Sequence, residues 1–229
     1  MSQRFDLYAM IHKALRNYMG AALLQLGRLD LSDELETKCC SAALLGLVDW
    51  LESHLEIEER FVHTALAERR PAALLEQLRR DHDEHLRSFA LLRSDAESLA
   101  ATLADPLDAR RARARHLYLA LSRFVAENFL HMAVEETEMN ALLWDTFSDE
   151  ELFGIYQAIL ASERPDQLGL AVTWLLPAIA PDDRVKVVAG ARAAMPSVAF
   201  EELAEKVREV LGARDFEKVA RALSLPPAA

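Results

Sequence analysis

Five of the seven histidines, His12, His54, His82, His85 and His131, stand where an apolar residue belongs. Each interrupts a run of hydrophobic residues at three- and four-residue spacing, the pattern of one buried helix face. Glu58 and Glu135 follow His54 and His131 by four residues, which stacks each carboxylate on the face of its histidine. A carboxylate buried without a partner is costly. A cation held between the helices satisfies all seven side chains at once. Five imidazoles and two carboxylates exceed what one tetrahedral zinc takes. They suit two six-coordinate ions bridged by carboxylates, which favours iron or manganese. Any one of these histidines is more readily a core residue bonded to a backbone carbonyl or a water. Seven such side chains on four helices make that reading of the whole set a poor one.

The helices that must carry them are marked by breakers. Before residue 148 the only prolines are Pro71 and Pro106, and Gly27 follows the last apolar-periodic residue of the first run. These marks predict helices over 5–26, 33–69, 72–104 and 107–146. Ser32 or Asp30 is placed to cap the second, and Asp105 precedes the fourth with Pro106 at its first position. The stripes run through Phe5, Tyr8, His12 and Leu15, through Cys40, Leu47, Trp50 and His54, through Leu78, His82, His85 and Phe89, and through Leu117, Phe124, His131 and Glu135. Short connections make neighbours antiparallel, and four such helices close most simply as an up-down-up-down bundle. Helical rise puts His54 and Glu58 roughly 16–23 Å from one end of that bundle, His82 and His85 roughly 15–20 Å, and His131 and Glu135 roughly 17–23 Å. His12 comes out at roughly 10 Å, acceptable if its helix starts above the base. The donors therefore converge on one level.

After Trp144 the texture changes. Ser148 and Glu151 form a capping-box pattern, and Pro165, Pro177, Pro181 and Pro196 divide the rest into short amphipathic helices. The expected organisation is an all-α chain, with a four-helix bundle over 1–147 and a helical extension over 148–229. The extension has no His or Cys. It either covers the bundle or forms a subunit interface, the latter pointing to a homodimer; covering is the default, because contiguous apolar surface is rarely left in water. The tail 226–229 is expected to be disordered.

Composition narrows the class. The chain has 229 residues, 52% apolar, and only seven glycines and eight prolines, too few for a turn-rich β fold. A formal charge of −11 argues against nucleic acid or an anionic membrane as partner. The apolar stretch 168–180 is too short to span a bilayer. The first residues lack the basic and apolar blocks of a secretory signal. Cys39 and Cys40 are adjacent and the only two cysteines, so a reducing cytoplasm fits best.

The order of the donors resembles the hemerythrin-like proteins, also called the HHE cation-binding family. It shows a lone His12, then HLEIE at 54–58, DHDEH at 81–85 and HMAVEE at 131–136. The stretches FVHTAL and FVAENFLHM look like those of bacterial members with an additional C-terminal region. The resemblance covers about 5–146. It implies a four-helix bundle around a non-haem di-iron site that binds dioxygen reversibly, or senses oxygen, nitric oxide or iron. By that likeness His12 and His54 hold one iron, His82, His85 and His131 hold the other, and Glu58 and Glu135 bridge them. The iron with fewer histidines keeps an open position. One departure is the third helix: the oxygen carriers place its two histidines at i, i+4, whereas His82 and His85 are at i, i+3.

Other polar residues have plainer readings. Tyr8, one turn before His12 on the same face, could hydrogen-bond a metal-bound group or be a ligand itself, but its plainer reading is a core residue with its hydroxyl at the bundle edge. Glu59 and Glu138 are the carboxylates that can substitute for Glu58 and Glu135. His63, nine residues past His54, faces away on an ideal helix and is expected at the surface or a helix end. His116 adjoins the basic run 110–115 and belongs to a solvated face. Cys40 lies in an apolar stripe and packs there. Three functions compete: a di-iron protein that binds or senses a diatomic ligand, a di-iron oxidase or peroxidase, and an iron-binding or structural helical module. Oxidases of bundle type carry more carboxylates. With imidazole outnumbering carboxylate five to two, binding is favoured over turnover.

Overall fold

Apolar faces at helical spacing can be buried only by laying helices against one another. In the computed structural model, which describes residues 4–70 and 73–225, every regular element is a helix. The break expected at Pro71 and the tail 226–229 lie outside the described residues. No described helix is long and apolar enough to cross a membrane. The chain divides into two compact units: Met1–Ala9 with Tyr18–Glu163, and Met10–Asn17 with Arg164–Ala229.

The first unit contains the second half of α1 (Ala9–Gly27), α2 (Glu34–Ile57), α3 (Thr64–Arg69), α4 (Ala73–Ala101), α5 (Leu107–Val134), α6 (Asn140–Thr146) and α7 (Asp149–Ser162). Asp33 caps α2, its carboxylate accepting the Glu36 N–H at 2.9 Å. That corrects the expected cap at Ser32 or Asp30. Asp30 instead accepts the Ser32 N–H at 2.8 Å and closes the preceding turn. Pro106 stands just before the first residue of α5, in the cap position. α2 packs on α4, and α4 on α5. Ser41 Oγ donates to the Ala96 carbonyl at 2.6 Å across the first of these contacts. The stripe of α4, from Leu75 through Leu78, His82, His85, Phe89, Leu92 and Ala96 to Leu99, is buried throughout. Tyr18 donates to the Ala43 carbonyl at 2.8 Å. A Cβ at Gly46 would stand 3.1 Å from that hydroxyl, so glycine is what permits the approach.

The capping box at Ser148 and Glu151 is present and starts α7. Leu152 of α7 is buried with Tyr8, Val62, Leu66, Leu143 and Phe147. The N-terminal segment is tied to the same region. Arg4 donates to the Phe147 carbonyl at 2.8 Å, and Trp144 Nε1 donates to the Phe5 carbonyl at 2.7 Å. The first unit thus runs on through α7.

The second unit holds α8 (Pro165–Ala178), α9 (Pro181–Ala194) and α10 (Ser197–Leu223). Proline opens α8 and α9, where a missing N–H costs nothing. Pro177 was expected to divide helices; it sits inside α8, one residue from its end. Arg184 satisfies the carbonyls of that last turn, donating from Nε to Leu176 at 2.7 Å, and pairs with Asp215 at 2.8 Å. Gly212, at φ 67° and ψ 168°, breaks α10 in a conformation essentially reserved for glycine. The apolar faces meet one another around Leu176, Val188, Phe200, Val207 and Phe216. These helices therefore bury a core of their own.

Candidate metal centre

Two departures from α-helical geometry shape the site. Between α2 and α3 the chain passes through a π-helical turn, Glu58–His63, and between α5 and α6 through a second, Glu135–Met139. A π-turn closes i→i+5 hydrogen bonds and takes up an additional residue. It rotates everything downstream by about 100° relative to a straight α-helix. Each of these turns begins on one of the two carboxylates that follow a histidine by four residues.

The carboxylates meet in the core. Glu58 is 3% exposed and Glu135 is 0% exposed. His54 Nε2 lies 3.0 Å from Glu58, and His131 Nε2 lies 3.2 Å from Glu135. His82 Nε2 comes within 3.6 Å of Glu58 and 3.8 Å of Glu135, and 3.1 Å from His131 Nε2. One donor atom from each of Glu58, His82, His131 and Glu135 falls within 4.8 Å of all the others. Four side chains from α4, α5 and the two π-turns thus close around one point.

The charges there are arranged for a cation. Burial and the Glu58 carboxylate oppose ionisation of Glu135, yet the imidazoles of His131 and His82 beside it hold its carboxyl well below the usual carboxylate range. Burial works against a charged His82, but the neighbouring carboxylates of Glu135, Glu58 and Glu59 raise its pKa above that of an ordinary imidazole. Two carboxylates in a buried pocket, one of them held ionised, call for positive charge, and nitrogen and oxygen donors without thiolate suit a borderline or hard transition ion. The donor set fits a metal.

Tyr8 goes deeper than expected. It is 2% exposed, and burial followed by the charges of Glu135 and Glu58 pushes its phenol well above the usual value. Its hydroxyl is buried, not at the bundle edge, and keeps its proton. His12 lies one turn further along α1 and is fully buried. His85 is also buried. Its ring lies edge-on to His131 at 4.8 Å and packs beside Phe89 and Phe124. Burial, then the charges of His131 and His82, bring its pKa down to about 4, so the ring is neutral at pH 7. His85 is absent from the groups of mutually close donors among the described residues.

His63 corrects the straight-helix expectation. The π-turn swings it inward, where it is 0% exposed and stacks on His82 at 5.2 Å and 14°. Glu59 lies between the two rings, 3.0 Å from His63 Nδ1 and 3.0 Å from His82 Nδ1. The only trace of this in the sequence is a further glutamate directly after Glu58, Glu59, with a histidine four residues beyond it. That spacing matters only if the π-turn is known. Glu138 is exposed, His116 has 74% of its side chain in solvent, and Cys40 is buried, its thiol pushed up to about 11 by burial and by Glu36. None of these three is part of the cluster, in keeping with the plain readings of His116 and Cys40.

The comparisons agree with the geometry. The family model described as the hemerythrin HHE cation-binding domain matches residues 5–143, more than half of the chain. No curated protein matches it. A helical bundle with a buried His/Glu cluster able to hold a metal, and a family match that spans every one of its donors, place this chain in the hemerythrin HHE cation-binding family.

Proposed function

We propose that this protein holds two non-haem iron ions in its core and there binds or senses dioxygen or a related diatomic molecule such as nitric oxide. The observation that carries the reading is the placement of His82 Nε2 within 3.6 Å of Glu58 and 3.8 Å of Glu135, two buried carboxylates on different helices. Carboxylates so placed are suited to bridge a pair of ions. Glu58, His82, His131 and Glu135 would hold the shared region. His54 would join through its pairing with Glu58. His12, buried on α1, would join as the family likeness implies. His85, in ring contact with His131, is the seventh donor and stands outside the groups of mutually close donors among the described residues.

When bound, iron supplies reversible binding of a diatomic ligand; the chain supplies its donors, its charge balance and a dry setting. Tyr8 contributes a protonated hydroxyl beside the carboxylates. The predominance of imidazole favours binding over oxidation chemistry, and the free thiols of Cys39 and Cys40 fit a reducing cytoplasm.

Elemental analysis of untagged protein expressed with ample iron tests this, with the absorption spectrum taken before and after reduction and exposure to air. The expected result is about two irons per chain, as the bridged donor set requires, and a band that depends on oxygen. His54→Ala and His131→Ala should each lower iron sharply, while His116→Ala should not. One zinc and no iron, or equal iron in all three variants, would sink the reading.

A further inference from the structure

Glu58 and Glu59 are consecutive, yet their carboxylates lie on opposite sides of one imidazole. Glu58 approaches His82 at Nε2, at 3.6 Å, and Glu59 approaches it at Nδ1, at 3.0 Å. In a straight helix adjacent side chains diverge by about 100° and cannot both serve one ring unless the ring lies between them. Here the π-turn that starts at Glu58 holds them in that stance and brings His63 in behind. His63 Nδ1 lies 3.0 Å from the same Glu59 oxygen, and its ring lies flat against His82. Arg79 Nε is 3.6 Å from the other oxygen of Glu59.

The chemistry of this contact has one consistent assignment. A carboxylate only accepts, so His82 and His63 each donate an Nδ1–H to Glu59. A neutral imidazole protonated at Nδ1 carries its lone pair at Nε2, the nitrogen that faces Glu58, His131 and Glu135. We propose that Glu59, with His63, is a positioning residue that fixes His82 in the Nδ1–H tautomer and so keeps Nε2 directed into the Glu58–Glu135 pocket. This rests on the proposed metal centre only for the purpose Nε2 serves; the tautomer itself is a property of the metal-free protein. Outer carboxylates of this kind orient a ligating histidine and make it more basic. Glu59 is only partly buried, so its replacement does not open a cavity in the core.

The test uses the full chain in two states. In metal-free protein, above the titration range of the ring, nitrogen-15 NMR of His82 should report Nδ1–H in the wild type. Glu59→Leu should lose that preference. Glu59→Gln, whose amide oxygen still accepts one N–H, should retain it. In iron-loaded protein, competition with a ferrous chelator should show affinity about 10–100-fold weaker in Glu59→Leu. Glu59→Gln should fall between that and the wild type. His63→Phe, which keeps the stacked ring and leaves Glu59 in place, should keep the tautomer and cost less than Glu59→Leu. Glu56→Leu, an exposed change on the same helix, should move neither readout. An Nδ1–H tautomer that persists in Glu59→Leu overturns the proposal, as does a larger effect from His63→Phe. If the wild type binds no iron yet the tautomer responds as described, the metal reading fails and the positioning role stands.

Discussion

His82 Nε2 and His131 Nε2 lie 3.1 Å apart, a hydrogen bond that two nitrogens cannot keep once both are metal ligands. One of them carries the shared proton, and a ligating nitrogen must give it up. With His82 in the proposed Nδ1–H tautomer its Nε2 accepts, so His131 Nε2, which also faces Glu135 at 3.2 Å, is the donor of the pair, while Asp81 lies 3.7 Å from its Nδ1. The metal-free pocket is therefore held together by protons at the place a bound cation would take.

Cation uptake should accordingly release protons. Calorimetric titration with ferrous iron in two buffers of different ionisation heat reads the number directly, and at least one proton per chain is expected. Apparent affinity should fall as the pH drops, since the raised His82 pKa lets protons compete earlier than at an ordinary imidazole. Binding heat that is the same in both buffers would contradict the exchange.

Stability should respond to pH in opposite senses with and without metal. In the metal-free fold the His82 pKa is raised, so its stabilising contribution is full below the ordinary imidazole value of about 6.5 and is lost as pH rises through the folded value. The Glu135 pKa is lowered, so its contribution is present above the ordinary value of about 4.3 and is lost as pH falls through the folded value. The two coexist in mildly acidic solution. Thermal melts of metal-free protein should show the wild-type advantage over His82→Gln shrinking from that window towards alkaline pH. Iron-loaded protein should gain over the same rise, as protons cease to compete. A wild-type advantage that grows towards alkaline pH in metal-free protein would show the sign to be wrong.

The second unit offers a backbone test. Gly212 adopts φ 67° and ψ 168° with open space around it, so a Cβ there meets no neighbour but does meet a forbidden conformation. Gly212→Ala should cost about 1–3 kcal/mol. Hydrogen exchange along α10 should report it as faster exchange on both sides of residue 212. A neutral result would mean that α10 straightens without loss.

Much of this fold was legible because the signal is periodic. The stripe of α4 is buried as the spacing demands, and the helix ends near Gly27, Pro106 and Ser148 follow from capping chemistry and breakers. What could not be read is phase. A π-turn leaves no mark in residue type, since Glu58–His63 is ordinary helix-forming sequence. The rotation that buries His63 and places Glu59 against His82 was therefore invisible. The cap of α2 was missed because Asp30, Ser32 and Asp33 are all good acceptors within four residues, and only the backbone path decides among them. The depth of the Tyr8 hydroxyl could not be read either, because it depends on packing against residues far away in sequence.

Glu58 separates a metal centre from a merely polar core. It lies 3.0 Å from His54 and 3.6 Å from His82, and it is one of two charges that burial alone would disfavour. Glu58→Gln removes the charge and keeps the volume. If the site were only a polar core, that neutral amide would suit it at least as well, and the metal-free protein should melt no lower than the wild type. If Glu58 bridges two cations, the same change takes away compensating charge and one bridging oxygen donor. Circular dichroism should then show an intact helical fold, iron per chain should fall, and the oxygen-dependent band should vanish. The stabilisation that iron gives to the wild type should shrink in parallel, since an ion that binds only the folded state stabilises by linkage. Full iron content with an unchanged spectrum in Glu58→Gln would remove Glu58 as a bridge. Glu59, already within 3.0 Å of His82 Nδ1, would then be the carboxylate to test in its place.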